Sequence, residues 1–204
     1  MVAQDRRVRR TQQLLARALV ALTLEKGYEA VTIRDLTDRA DIGYATFFRH
    51  YRDKDELLQD VLDVVLEELT GLLSGAVPDG DPAAVGTLVF RYVQEHTEVV
   101  RVLLGSRQVL QRLVAVATDL TMREQTARPD SPVPLEIAAH HIVSATIALV
   151  EWWLDHGMPY PPEQMGRLYR DLIAGPTGAL VFAPPALAPS GDGAQPGPAS
   201  AQHT

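Results

Sequence analysis

The sequence has no cysteine, no apolar stretch in its first ten residues and no long uncharged apolar run, and each absence excludes a class of protein. Without thiols the chain cannot form disulfides, hold zinc or iron–sulfur clusters through thiolates, or use a cysteine nucleophile. The first residues do not resemble a secretory signal, and no uncharged apolar run approaches the roughly 18 residues that span a bilayer. The sequence therefore predicts a soluble cytoplasmic protein without a membrane segment.

Sequence signatures of catalysis and of metal binding are also missing. Neither a GxSxG nucleophile elbow nor a Gly-rich phosphate loop occurs. Glu136 and His140 share a helix face at a spacing of four residues, but a third metal ligand is absent, and His141 points about 100° away from His140. The sequence therefore predicts no catalytic residue, no metal site and no cofactor. We interpret His141 as a pocket or interface residue.

The chain does have an apolar content of 46% and an uneven distribution of charge. That apolar content is enough to bury a core, which excludes wholesale disorder. The net charge of −7 divides into +3 for residues 1–55 and −10 for residues 56–204, and four of the first ten residues are arginine. A basic segment attached to an acidic body suits contact with a polyanion, although a solvated basic terminus would look the same.

Apolar residues recur at spacings of three and four along the chain, which predicts nine helices and an all-α fold with no convincing strand. Capping and breaking residues mark the helix ends: Gly27, Thr32, Asp53, Asp81-Pro82, Gly105, Gly157 and Gly175-Pro176. Residues 183–204 contain five Pro, three Gly and six Ala, which predicts a disordered tail.

The most informative stretch is residues 32–54, TIRDLTDRADIGYATFFRHYRDK. Thr32 followed by Asp35 predicts a capped short helix, and a break at Asp41 precedes a third helix over residues 43–50. Two short helices joined by a tight turn form a helix-turn-helix, whose second helix enters the major groove of DNA. Its predicted inward-facing residues are Ile42, Phe47 and Tyr51. Its predicted outward-facing residues are Tyr44, Ala45, Thr46, Phe48, Arg49 and His50, a mixture that suits DNA.

Roughly residues 10–60 resemble the N-terminal domain of the TetR family of bacterial transcriptional regulators. The matching positions are Thr32, Ala40, Thr46, Phe47-Phe48, Arg49-His50-Tyr51 and Lys54. The resemblance implies that DNA is contacted by Thr32, Tyr44, Thr46, Phe48, His50 and Lys54. It also implies that Gly43 and Ala45 let the helix backbone approach the groove, and the outward face adds Arg49 to the predicted DNA-binding residues.

Three positions depart from the family pattern. Asp41 stands where glycine is usual in the turn, and it tolerates the left-handed conformation while adding a negative charge. Gly43 replaces the usual Ser or Thr cap of the second helix, so no hydroxyl is present there to bind phosphate. Phe48 replaces a tyrosine and therefore lacks the phenol that would donate a hydrogen bond to phosphate.

The helix predicted from Leu135 to His156 is apolar nearly all round, so it must be covered on both sides. A partner subunit would provide the second cover, and the alternative is a helix wrapped fully by its own chain. The resemblance implies the same dimer, in which the last two long helices form a four-helix bundle. The predicted dimer-interface residues are Ala138, Ala145, Ala148, Leu168 and Ile173.

The resemblance further implies a cavity for a small molecule among the helices that follow the fourth, whose occupation moves helix four. The predicted ligand-binding residues, chosen for helical phase, are Leu62, Leu66, Phe90, Val93, His96, Leu113, His141 and Trp152. Their largely apolar character predicts a hydrophobic or aromatic effector, and each of them also fits an ordinary core position.

Together these observations predict a helix-turn-helix DNA-binding domain over residues 1–55 and a helical effector-binding and dimerisation domain over residues 56–176. We expect a homodimeric transcriptional regulator, a repressor, that binds a palindromic double-stranded operator and is released or modulated by a small hydrophobic ligand. The alternative is a helical interaction protein that contacts a protein partner instead of DNA.

Overall fold

The computed structural model of this chain describes residues 2–76 and 81–182. The predicted disordered tail, residues 183–204, lies outside the described residues. Within the described ranges the regular elements are helical, and the one extended contact is an isolated bridge between Ala127 and Phe182. The all-α prediction is confirmed.

The helices follow one another in chain order with short connections. They are α1 Val2–Lys26, α2 Ile33–Ala40, α3 Tyr44–Phe47, α4 Lys54–Ala76, α5 Pro82–Glu95, α6 Thr97–Leu104, α7 Arg107–Glu124, α8 Leu135–Asp155, α9 Pro162–Tyr169 and α10 Gly175–Val181. A one-turn 3-10 helix, Tyr28–Ala30, joins α1 to α2, and a π-turn, Arg170–Ala174, joins α9 to α10. With α9, the π-turn and α10 counted as one continuous helix, the described part of the chain has the nine predicted helices.

Side chains cap the helices where the sequence predicts them. The Thr32 hydroxyl accepts a hydrogen bond from the Asp35 amide at 3.2 Å, and the Asp35 carboxylate accepts one from the Thr32 amide at 2.8 Å. Asp53 accepts a bond from the Glu56 amide at 2.8 Å, and Asp81 accepts one at 3.0 Å from the amide two residues on. These bonds satisfy amides that have no partner inside the helix, which is why such residues begin helices.

The predicted helix over residues 43–50 is shorter in the structure. Regular α-helix covers Tyr44–Phe47, and the next three residues form turns. The Arg49 amide donates to the Thr46 carbonyl and the His50 amide to the Phe47 carbonyl, so the chain tightens to bonds between residues three apart.

The prediction that Gly175-Pro176 end the last helix is wrong, because the chain continues helically to Val181. Pro176 lacks an amide hydrogen and would clash in a regular helix. The turn widens instead, and the Gly175 amide bonds to the Arg170 carbonyl five residues back. A Cβ on Gly175 would lie 2.7 Å from that carbonyl oxygen, so glycine fits the widened turn.

The described residues form two apolar cores. The first is formed by α1 to α4 together with Val102, Leu103 and Val109 of α6 and α7. The second is formed by residues of α5, α6, α8 and α9, and it contains Phe90, Val93, Val100, Val150, Trp153, Leu154 and Met165. The first core therefore continues across residue 55, the domain boundary predicted from the sequence, and joins the helix-turn-helix to α6 and α7.

Helices α5 and α9 touch through their backbones at two glycines. A Cβ on Gly86 would lie 2.9 Å from the Gly166 Cα, and a Cβ on Gly166 would lie 2.5 Å from the Ala83 carbonyl oxygen. Both distances are far below an ordinary van der Waals contact. The two glycines therefore set how closely these helices pack in the second core.

By length and composition alone, α8 is apolar enough to cross a membrane. The core helix of a soluble protein passes the same test, and seven α8 residues are buried against the rest of this chain.

Candidate nucleic-acid interface

A tight turn fixes the angle between α2 and α3. Asp41 ends α2 in the left-handed conformation, with φ 53°, and its amide donates to the Asp38 carbonyl. The Ile42 amide donates to the Thr37 carbonyl at 3.0 Å, and the Thr46 amide donates to the Gly43 carbonyl at 2.7 Å. The helix-turn-helix predicted from the sequence is thus present, with Asp41 in the role usually given to glycine.

The inward side of α3 is anchored on the first core. Phe47 is fully buried, Tyr51 is buried, and Ile42 packs against the same cluster. The Tyr51 hydroxyl donates to the Asp60 carboxylate of α4 at 2.5 Å, and burial together with this bond raises the pKa of Tyr51 above its usual value. The three inward-facing positions predicted from the sequence are confirmed, and they hold α3 rigidly against α4.

The outward side of α3 presents two aromatic rings to solvent. Tyr44 is 55% exposed and Phe48 is 48% exposed, and their rings meet edge to face with centroids 5.3 Å apart. Ala45 and Arg49 are exposed beside them, while Thr46 and His50 are partly buried. Large apolar rings on a fixed surface, next to a guanidinium, mark a recognition surface.

Thr32 lies at the start of α2 with its hydroxyl already engaged. It donates to the Asp35 carboxylate at 2.6 Å while accepting from the Asp35 amide. Lys26 also contacts Asp35, at 2.8 Å. The hydrogen bonds from Lys26 and Thr32 hold the pKa of Asp35 well below its usual range, so the carboxylate is charged at neutral pH.

The ammonium group of Lys54 points into the protein. Its Nζ donates to the carbonyl oxygens of Tyr28, Glu29 and Val31 at 2.9, 3.3 and 3.2 Å, in the connection between α1 and α2. The sequence predicts a DNA contact for this residue. In the structure its charge lies on the protein's own backbone.

A basic surface, which we call the arginine face, runs along the first half of α1. Four exposed arginines line a surface hollow there with Gln13 and Leu14: Arg6, Arg9, Arg10 and Arg17. The excess of arginine noted in the sequence is thus carried on an ordered helix. Such a surface is the electrostatic footprint expected of a polyanion-binding protein.

The eight residues predicted to bind a ligand lie in different places. Leu62 is in the first core and Leu66 and Leu113 pack against it, whereas Phe90 and Val93 belong to the second core. The His96 ring contacts the Tyr92 ring at a tilt, and His141 and Trp152 are exposed. The structure therefore does not bring these eight residues around one cavity, because helical phase alone does not say which core a residue enters.

The five residues predicted to form the dimer interface differ in their exposure. Ala138 and Ile173 are buried within the chain, Ala145 and Leu168 are partly buried, and Ala148 is exposed. The burial of Ala138 and Ile173 makes them unavailable to a partner in this conformation, because their own chain covers them.

Three exposed apolar residues are not among those predicted from the sequence. They are Ile137 of α8, Leu172 of the π-turn and Leu180 of α10. Ile137, His141, Ala148 and Trp152 follow a spacing of four, seven and four, so they share one face of α8. This spacing is visible in the sequence, and the exposed face of α8 could have been predicted from it.

The adjacent tryptophans at the end of α8 face opposite environments. Trp153 is fully buried, its ring lies edge-on to Phe90, and its indole nitrogen donates to the Tyr160 carbonyl at 2.9 Å. Trp152 is 41% exposed and stacks on His156 with centroids 4.5 Å apart. The prediction that one of the two packs inside the subunit is confirmed for Trp153.

A helix-turn-helix whose second helix exposes aromatic and cationic side chains defines a DNA-binding protein. The model of bacterial regulatory proteins of the tetR family matches residues 15–61, and that of a transcriptional regulator C-terminal region matches residues 83–175. The chain belongs to the TetR family of helix-turn-helix transcriptional regulators. The resemblance noted in the sequence is confirmed.

Curated relatives are transcriptional regulators. The uncharacterized regulator YxbF of Bacillus subtilis is 28% identical over 177 residues, covering 83% of this chain and 46% of YxbF. TcmR of Streptomyces glaucescens is 28% identical over 44% of this chain and 40% of its own length. The repressor Rv3405c of Mycobacterium tuberculosis is 37% identical over 37% of this chain and 43% of its own length. The chain thus spans less than half the length of these relatives.

Solved structures share the fold at low sequence identity. A putative TetR-family regulator from Syntrophomonas wolfei has a TM-score of 0.69 at 16% identity, covering 82% of this chain and 94% of its own. SmeT, the repressor of the multidrug efflux pump SmeDEF of Stenotrophomonas maltophilia, has a TM-score of 0.63 at 18% identity, covering 88% and 94%. These similarities extend the family fold through the C-terminal helices.

Proposed function

We propose that this chain is a cytoplasmic transcriptional repressor that binds a palindromic DNA operator as a homodimer. Family membership supports a role in transcription and no enzymatic role. The observation that carries the proposal is the outward face of α3, where exposed Tyr44 and Phe48 stand beside Arg49 on a rigidly anchored helix. A two-fold dimer presents two such faces, which requires an operator with two matching half-sites.

The proposed contacts divide into base reading and phosphate binding. Tyr44 and Thr46 lie on the first turn of α3, where side chains reach base edges, and Phe48 offers an apolar surface to a thymine methyl. Arg49, His50 and the arginine face of α1 supply positive or ionisable groups for phosphates. Gly43 and Ala45 add little bulk, so the backbone can approach the groove. The Thr32 hydroxyl donates to the Asp35 carboxylate in the free protein, so it would have to turn away from Asp35 to donate to a phosphate oxygen.

Replacing Tyr44 by alanine is expected to relax sequence selectivity at one operator position by about 1–3 kcal/mol, roughly 5- to 150-fold. The operator is first obtained by selecting bound fragments from random duplexes with the wild-type protein. Binding of Tyr44→Ala is then measured against single-base variants of that operator. The matched control is Val64→Ala, which removes an exposed apolar side chain from α4 and should leave selectivity unchanged. A uniform loss across all base variants would contradict base reading by Tyr44.

We further propose that the subunits pair through the exposed apolar face of α8 and the segment that follows α9. Ile137, Ala148 and Trp152 lie on this face of α8. Leu172 and Leu180 are exposed apolar residues of the π-turn and α10, the segment that packs against α8. The apolar character of α8 follows from this pairing, since one side meets its own chain and the other meets the partner.

Ala148→Arg is expected to produce folded monomers, because arginine at an exposed alanine is tolerated by the isolated subunit but buries an unpaired charge in the dimer. The control is Ala115→Arg, which adds the same side chain at an exposed position of α7. Analytical ultracentrifugation should show a dimer for the wild type and the control, and a monomer with weakened operator binding for Ala148→Arg. A dimer that persists in Ala148→Arg would place the interface elsewhere.

Modulation by a small apolar or aromatic ligand is part of the same proposal. Of the residues predicted to bind it, Phe90 and Val93 lie together in the second core, beside Trp153. We place the effector at this core, which must open to admit it because Phe90 is fully buried. Family membership supports modulation by a small-molecule effector.

A further inference from the structure

Lys54, the first residue of α4, has all of its hydrogen-bond donors occupied by the protein. An ammonium group carries three N–H donors, and three carbonyl oxygens lie within 3.3 Å of Nζ. The same nitrogen lies 4.5 Å from the centroid of the Tyr28 ring, which is a favourable position for a cation over an aromatic face. No N–H of this group is left for a phosphate oxygen.

The acceptors of Lys54 belong to the short connection between α1 and α2. Tyr28 and Glu29 lie in the one-turn 3-10 helix, and Val31 caps its C-terminal end. Carbonyl groups at the C-terminal end of a helix carry a partial negative charge, so they attract a cation. Val31 is buried and is followed directly by Thr32, the cap of α2. The ammonium group of Lys54 therefore binds the backbone segment that leads directly into the helix-turn-helix.

The neighbouring residue on α4 holds the same connection from a second direction. The Tyr28 hydroxyl donates to the Asp55 carboxylate. Burial and this hydrogen bond raise the pKa of Tyr28 above its usual value, so the phenol stays protonated and remains a donor. Tyr28 is thus held on its ring face by the Lys54 ammonium and at its hydroxyl by Asp55.

We propose that Lys54 is a positioning residue: it fixes the start of α2 against α4 and thereby sets the orientation of the helix-turn-helix on DNA without binding phosphate. This inference rests on the proposed DNA-binding function. It differs from the direct DNA contact that the family resemblance implies for this position.

The first test is the salt dependence of binding to a mixed-sequence DNA duplex. Lys54→Met keeps the alkyl chain and removes the ammonium group, and the control Arg49→Met removes an exposed cation from the outward face of α3. Removing a phosphate contact makes the slope of log K against log salt concentration shallower by about 0.9. We expect that change for Arg49→Met, and an unchanged slope with weaker binding for Lys54→Met. A slope shallower by about 0.9 for Lys54→Met would overturn the proposal.

The second test needs no DNA. Amide hydrogen exchange over residues 31–35 should be about 10-fold faster in Lys54→Met than in the wild type, since hydrogen bonds to a charged group are lost. Tyr28→Phe, which removes only the hydroxyl, should change exchange in the same direction by less, and Arg49→Met should not change it. Unaltered exchange in Lys54→Met would overturn the proposal. If the wild type failed to bind any duplex, the proposed function would fail, while the exchange result would still decide the role of Lys54.

Discussion

Replacing the buried Trp153 by alanine is expected to lower the free energy of unfolding by about 3–5 kcal/mol, which corresponds to a fall in Tm of roughly 6–20 °C. The indole ring is fully buried in the second core and packs edge-on against Phe90 at a centroid distance of 5.3 Å. Its removal leaves a cavity and also deprives the Tyr160 carbonyl of its hydrogen-bond donor. Equilibrium unfolding in urea measures this decrease in the free energy of unfolding.

The chain provides a matched control in the adjacent residue. Trp152→Ala removes the same side chain from a position that is 41% exposed, where the ring stacks on His156 and Tyr160. Both substitutions are compared in the Ala148→Arg background, so that no subunit interface contributes. We expect Trp152→Ala to cost about 1 kcal/mol or less, the range of exposed aromatic contacts. Equal losses for the two tryptophans would contradict the orientation of α8.

Replacing Gly166 by alanine is the second substitution with a large expected effect. The new Cβ would lie 2.5 Å from the Ala83 carbonyl oxygen and 2.7 Å from the Thr87 amide nitrogen, both of which are backbone atoms of α5. Backbone atoms cannot rotate away, so the two helices must separate. Overpacking of this kind outweighs the better helix propensity of alanine, and we expect a net loss of about 2 kcal/mol or more.

The control for this substitution is Gly71→Ala on α4. A Cβ at Gly71 meets nothing within 4 Å, so only the helix propensity changes. We expect Gly71→Ala to stabilise the protein by up to about 1 kcal/mol. Thermal unfolding of the two variants should therefore move Tm in opposite directions. A stabilised Gly166→Ala protein would show that α5 and α9 do not touch at this glycine.

Features set by neighbouring residues could be predicted from the sequence. The cap at Thr32 and Asp35 depends on two residues three apart, and the burial of Phe47 follows from its phase on a short helix. The left-handed turn at Asp41 was likewise predictable, because aspartate is one of the few residues other than glycine that tolerate this conformation. These features make up the helix-turn-helix, which is why its frame was the most accurately predicted part of the chain.

Features set by distant parts of the chain could not be predicted in the same way. Leu62 and Phe90 have the same apolar character and the same helical pattern, yet they enter different cores. The carbonyl partners of Lys54 lie 23 to 26 residues before it in the chain, and no spacing rule connects them. The Gly175-Pro176 pair obeys the local rule for ending a helix, but a widened turn accommodates it.

The shared first core limits how far this regulator can be treated as two exchangeable modules. Val102, Leu103 and Val109 pack into the same cluster as the residues that support α2 and α3. A chimera that combined residues 1–55 with the body of another family member would bring together two half-cores that had not been selected to fit. A working chimera would have to transfer these three side chains together with residues 1–55. The unit that can be exchanged between family members is therefore discontinuous in the sequence.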